Sequence, residues 1–178
     1  MEEFKNILYP VALTDLSPRV APSVATLAGQ LDARVHLIHV LRPFGWYVDN
    51  FVAELSEPES RESTSDSQSQ VNSIIKLFSE PKSKRVASDF ESQVQIQAKQ
   101  KLEAFKEQYF SDTNIADAVV VSGTRHKLIL EYAKSKGIDL IIMGAETSLG
   151  KVMFGSVVEK VSKLATVPVV IVKYDQSE

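Results

Sequence analysis

The chain has 178 residues, 44% of them apolar and none of them cysteine, with a net charge of −3. That suits one domain with a sizeable core, and it excludes disulfides, thiol catalysis and cysteine-based zinc sites. The mild acidity, with a pI near 5.7, leaves no electrostatic footprint for nucleic acid.

The N-terminus is acidic at Glu2-Glu3 and runs straight into a strand pattern, unlike a signal peptide. No apolar run approaches the roughly 18 residues that a membrane-spanning helix needs. A soluble cytoplasmic protein is expected, with no membrane or nucleic-acid partner.

Ile7 to Leu13 is the first predicted strand, with Pro10 inside it. Proline in a strand marks an edge or a bulge. A strand-to-helix turn follows, with Ser17 as the expected N-cap and Pro18 at the first helical position. Val20, Val24, Leu27, Ala28 and Leu31 give that helix an apolar face, and Asp32-Ala33 is the turn after it. Arg34 to Leu41 reads as the second strand. His36 and His39, three apart in a strand, point to opposite faces and make no metal site.

Residues 42–88 read as an insert. Trp46 and Tyr47 precede a stretch rich in Ser and Glu of the kind that stays solvated. Val71, Ile74, Ile75 and Phe78 then fall at i, i+3, i+4 and i+7, the pattern of a short amphipathic helix. It would act as a brace over the body or as a surface for a protein partner. A long helix is predicted from about Asp89 to Phe110, with Phe90, Val94, Ala98, Leu102, Phe105 and Tyr109 on its period. Ala116 to Val121 is the third strand, Gly123 turns the chain, and Leu128 to Ser135 is a helix closed by Gly137.

The segment Asp139 to Val172 concentrates the chemistry. Leu140 to Met143 is a short apolar run of the kind a fully buried strand shows. Gly144 ends it, and a loop with Gly150 and Lys151 follows. Gly155-Ser156 opens a helix striped by Val157, Val158, Val161, Leu164 and Ala165, and Val169 to Val172 is the last strand. A glycine loop before a helix N-terminus can hold phosphate on backbone N–H groups, in the positive end of the helix dipole. The same glycines also suit tight packing turns without a ligand. Gly150-Lys151 is not a P-loop, because Val152 stands where the hydroxyl residue belongs. Arg125, His126 and Lys127 sit at a helix start, where the dipole disfavours cations unless an anion is near. No catalytic constellation stands out, and hydrolysis at the glycine loop would have only Glu146 as a base.

The order β-α-β-(insert)-α-β-α-β-α-β predicts an α/β fold, a three-layer doubly wound five-stranded parallel sheet. Its ligand crevice lies outside the strand C-termini, where strand order reverses. We read one domain over residues 1–178 with an insert at about 42–88.

Over residues 4–41 and 89–174 the chain resembles the universal stress protein family. That family's signature is glycine, two residues, glycine, nine residues, glycine, then serine or threonine. Gly144 matches its first glycine and Gly155-Ser156 its closing pair. Thr147 stands at the second glycine, and only seven residues separate it from Gly155. Asp15, Val40 and Val121-Ser122-Gly123 also look like family positions. The resemblance implies the family's adenine-nucleotide alpha-hydrolase-like architecture and an ATP or AMP ligand, with Mg²⁺ held only through phosphates. By that resemblance Asp15 and Val40 meet adenine and Gly123 lies near ribose. Gly144, Gly155, Ser156 and Val157 hold phosphate, and Met143 is a further nucleotide-binding position. It further implies a homodimer through the last strand, and a role in stress response or signalling without catalysis. Two other outcomes stay open: a nucleotide-free dimeric interaction protein, and a slow ATPase.

Overall fold

A computed structural model describes residues 4–14, 16–43, 45–46, 81–148, 151–153 and 155–175. Asp15, Gly150 and the amphipathic stretch Val71 to Phe78 therefore lie outside the described residues. The chain forms two compact units, Met1–Leu41 with Gln97–Glu178, and Arg42–Ile96.

The larger unit carries the sheet. Its elements are β1 (Asn6–Pro10), α1 (Leu16–Leu31), β2 (Arg34–Leu41), the end of α2 (Pro81–Tyr109), β3 (Ile115–Ser122), α3 (Arg125–Ser135), β4 (Leu140–Ser148), β5 (Lys151–Met153), α4 (Ser156–Leu164) and β6 (Val169–Asp175). Five strands run parallel, as expected, and their order is β3-β2-β1-β4-β6. The three-residue β5 adds an antiparallel pairing to β4.

Alternation along the strands builds the three layers. Val35 and Leu37 face one side, packed with Val20 and Val24 of α1 and Ala98, Leu102 and Phe105 of α2. Ile38 and Val40 face the other, with Ile129 and Ala133 of α3 and Val158 and Val161 of α4. Parallel strands buried on both faces read as continuous apolar runs, which is why these were legible.

β1 stops at Pro10, short of the expected Leu13. The Val11 N–H donates to the Ile38 carbonyl at 2.8 Å, so odd residues of β1 point their N–H at β2 and even ones at β4. Pro10 has no N–H to give on the β4 side. The β1–β4 register accordingly ends at Leu8↔Ile141, while β1–β2 continues to Pro10↔Ile38. The two central strands part there, and Leu13 then turns the chain with a φ of 55°.

Ser17 is not the N-cap. The helix already includes Leu16, and the buried Ser17 Oγ accepts from the N–H groups of Ala12 and Leu13, both at 3.1 Å. It braces the loop before the helix. The turn at Asp32 is as read: φ is 49°, and the Ala33 N–H donates to Ala28 O at 2.9 Å, a Schellman closure with Asp at the left-handed position. Gly137, with φ 61°, closes α3 the same way.

In the smaller unit the Arg42 guanidinium lies 3.5 Å from the centroid of the Trp46 ring. α2 begins earlier than expected, at Pro81, and Phe90 on its predicted apolar period is 50% exposed.

Candidate functional site

Where β1 and β4 separate, a cleft of about 170 Å³ opens. This is the reversal point of the strand order, and the crevice lies outside the strand C-termini, where doubly wound sheets take ligands. Tyr9 to Ala12 form one wall and Met143-Gly144 the facing one. Val40 of β2 and Val157-Val158 of α4 close it, with Arg125 of α3 also lining it.

Of the residues singled out in the sequence, Val40, Met143, Gly144 and Val157 line this cleft. Gly123, Gly155 and Ser156 do not line it. Gly123, with φ 153°, donates its N–H to Leu41 O at 2.9 Å, joining the ends of β2 and β3. A Cβ there would sit 2.8 Å from Leu128 Cδ1. Gly155 is the N-cap of α4, with φ −62° and ψ 151°, and a Cβ built on it meets nothing within 4 Å.

Gly144 has a packing role of its own. A Cβ there would come within 2.6 Å of Val20 Cγ2 and 2.8 Å of Leu16 Cδ1, so its smallness lets α1 lie on the end of β4.

The expected open glycine loop is instead a continuation of the sheet. β4 extends to Ser148 and returns as β5, with Glu146↔Met153, Thr147↔Val152 and Ser148↔Lys151 in register. Glu146 and Thr147 pair with β6 on the other edge. β5 therefore occupies the β4 edge that β1 has left. Thr147 and Val152 favour strand, and two residues between Ser148 and Lys151 is a hairpin spacing. Sequence reasoning counted glycines here and missed the pairing.

It gave His39 and Ser17 no part in the site, yet both line the cleft and add polar atoms to it. His39 is 8% exposed, and its Nδ1 donates to Val11 O at 2.7 Å. Burial lowers its pKa below the ordinary imidazole value; the bond to Val11 opposes the shift and the charge of Arg125 adds to it. The Tyr9 hydroxyl donates to Ser17 O at 3.0 Å, and burial raises the Tyr9 pKa. The expected opposition of the two histidines holds. His36 faces α3, with Nδ1 3.1 Å from the Tyr132 hydroxyl, which donates to Asp117 at 3.0 Å.

A sequence model of the Universal stress protein family matches residues 3–173. The chain belongs to the universal stress protein family. It is 35% identical over 83 residues to the universal stress protein MJ0577 of Methanocaldococcus jannaschii. That match covers 46% of this chain and 51% of the relative, so it spans about half of the relative's length. The solved structure of MJ0577 superposes with a TM-score of 0.67 at 22% identity, covering 99% of this chain and 100% of that one. The universal stress protein of Archaeoglobus fulgidus in complex with dAMP superposes with a TM-score of 0.54 at 16% identity, covering 96% and 98%. At such identities these likenesses establish the fold.

Proposed function

We propose that this universal stress protein binds an adenine nucleotide, ATP or AMP, at the β1/β4 cleft and acts as a non-catalytic cytoplasmic module in stress response or signalling. The observation that carries the reading is the convergence of Val40, Met143, Gly144 and Val157 on one cleft at the reversal point. The family relative solved with dAMP supports it by analogy. The cleft, about 170 Å³, is smaller than the roughly 300 Å³ at which drug-sized sites begin. It would house the base between apolar walls and leave sugar and phosphate at the rim. In this reading Asp15 and Val40 meet adenine and Gly123 neighbours ribose. Gly144, Gly155, Ser156 and Val157 face phosphate, with any Mg²⁺ on phosphate oxygens. The working unit is a homodimer through β6, whose pairing among the described residues is to β4 alone. The unit Arg42–Ile96 is open to a protein partner.

A second reading has its own observation. The β4–β5 pairing and the packing of Gly144 give that part of the signature a role without a ligand, which favours a nucleotide-free interaction protein.

Thermal unfolding with and without AMP and ATP–Mg²⁺ at about 1 mM separates the two. A ligand at about 100 times its Kd adds roughly 2.7 kcal/mol, or roughly 5 to 10 °C for a domain of this size. We expect that shift for AMP, and its loss in Gly155→Val, at a position where an added Cβ meets nothing within 4 Å. No shift with either nucleotide would select the interaction protein.

A further inference from the structure

We infer that the cleft takes a nucleoside monophosphate in preference to a di- or triphosphate, because the β4–β5 pairing has already used the backbone N–H groups that outer phosphates would need. The inference rests on the nucleotide reading above and narrows its ligand class. A loop holds phosphate through N–H groups that no other backbone acceptor has taken. The Ile141 N–H donates to Pro168 O at 3.0 Å, on the β6 side of β4. Alternation then turns the N–H groups of Met143, Ala145 and Thr147 toward β6, and those of Glu146 and Ser148 toward β5. Both edges are occupied there. Ala145, Glu146 and Thr147 lie opposite Lys173, Tyr174 and Asp175 of β6, and Glu146, Thr147 and Ser148 lie opposite Met153, Val152 and Lys151 of β5. In an antiparallel pair, opposed residues whose N–H groups face each other's strand exchange both bonds, so Glu146 is bonded this way to Met153 and Ser148 to Lys151. From Ala145 to Ser148 no backbone donor is left to cradle an anion.

The first turn of α4 keeps its donors. The ladder of that helix opens with the Glu159 N–H donating to Gly155 O at 3.1 Å, so the N–H groups of Ser156, Val157 and Val158 precede it and have no intrahelical acceptor. Gly155 is the N-cap and has no side chain to satisfy them. Val157 and Val158 also line the cleft. One phosphate is enough to occupy this turn, in the positive end of the helix dipole. A base beside Val40 with its ribose near Gly123 brings that phosphate in on the 5′ carbon. β5 ends at Met153 and α4 begins at Ser156, so phosphates beyond the first lie beside the hairpin. There they meet N–H and carbonyl groups already bonded to each other, and they give up hydration without gaining donors.

The test is titration calorimetry of AMP, ADP and ATP–Mg²⁺ against the full chain. A cradle that met the outer phosphates would favour ATP–Mg²⁺ by more than about tenfold, the worth of one hydrogen bond to a charged group. AMP is instead expected to bind as tightly as the other two or more tightly, to within about threefold. ADP or ATP–Mg²⁺ tighter than AMP by more than that margin overturns the inference and leaves the nucleotide site standing. Binding of none of the three overturns the nucleotide reading and the inference together. Met153→Pro checks the cause. It removes the N–H that Met153 gives to Glu146, and the opened hairpin should raise the affinity for ATP–Mg²⁺ relative to AMP by at least about threefold. An unchanged ratio in the folded variant overturns the role of the pairing. Should Met153→Pro not fold, the wild-type ratios decide alone.

Discussion

Gly144 separates two explanations of one residue. Alanine there would press a methyl to 2.6 Å from Val20 and 2.8 Å from Leu16, and inserting a methyl into a packed site costs about 1 to 3 kcal/mol. Gly144→Ala should therefore lower Tm by about 3 to 10 °C with no ligand present; an unchanged Tm in a thermal scan would refute the packing role. Ser17→Ala removes the acceptor of the Ala12 and Leu13 N–H groups. Stranding partly buried donors costs about 1 to 3 kcal/mol, so denaturant melts should show a comparable loss, and a midpoint equal to wild type would contradict it. The sequence marked both residues: it left Gly144 between packing and phosphate, and it read Ser17 as an N-cap where the structure has it bracing the loop. Their partners come from other elements or from a loop that doubles back, and neither arrangement leaves a local pattern.

At the level of elements, periodicity carried most of the weight. Val20, Val24 and Ala28 announced α1, and the apolar runs at Arg34–Leu41 and Leu140–Met143 announced buried strands. What it could not supply was pairing. The stretch Glu146 to Met153 has too few apolar residues to declare itself, and it is a strand pair because β1 ends at Pro10 and vacates an edge of β4. Turn chemistry was legible at the left-handed residues Gly137 and Asp32, and missed at Leu13, which reads as strand. Asp32 pays steric strain that glycine avoids. Asp32→Gly is expected to raise stability by about 0.5 to 1 kcal/mol, given that its ion pair with Lys5 is long, 3.8 Å, and solvent-exposed. Urea unfolding measures this directly, and a lowered midpoint would disprove it.

For the molecule as a whole, the three layers followed from element order, and the cleft from the rule that sheets bind ligands where strand order reverses. The buried histidines set its response to acid. Burial lowers the pKa of both His36 and His39, so the unfolded chain binds protons more readily than the folded one. Stability is then complete above about pH 6.5 and declines as pH falls from there through the lower folded values, by about 1.4 kcal/mol per unit of depression. Protonation would bury a second N–H on His36, at an Nε2 that has no partner among the described residues. Thermal scans between pH 7.5 and 5 should show Tm falling, with a shallower slope in His36→Gln; parallel slopes would rule out the contribution of His36. The early end of the β1–β4 ladder has a further consequence. β4 is joined to β6 from Ile141 to Thr147 but to β1 only at Ile7 and Leu8, where the Asp139 carboxylate also takes the Lys5 and Asn6 N–H groups. The sheet thus has a seam between the half that carries β1 to β3 and the half that carries β4 and β6. Amide exchange should breach it at a lower opening energy than either half. A ligand lying in the mouth of that seam would touch both sides, and so act as a stitch as well as a cargo.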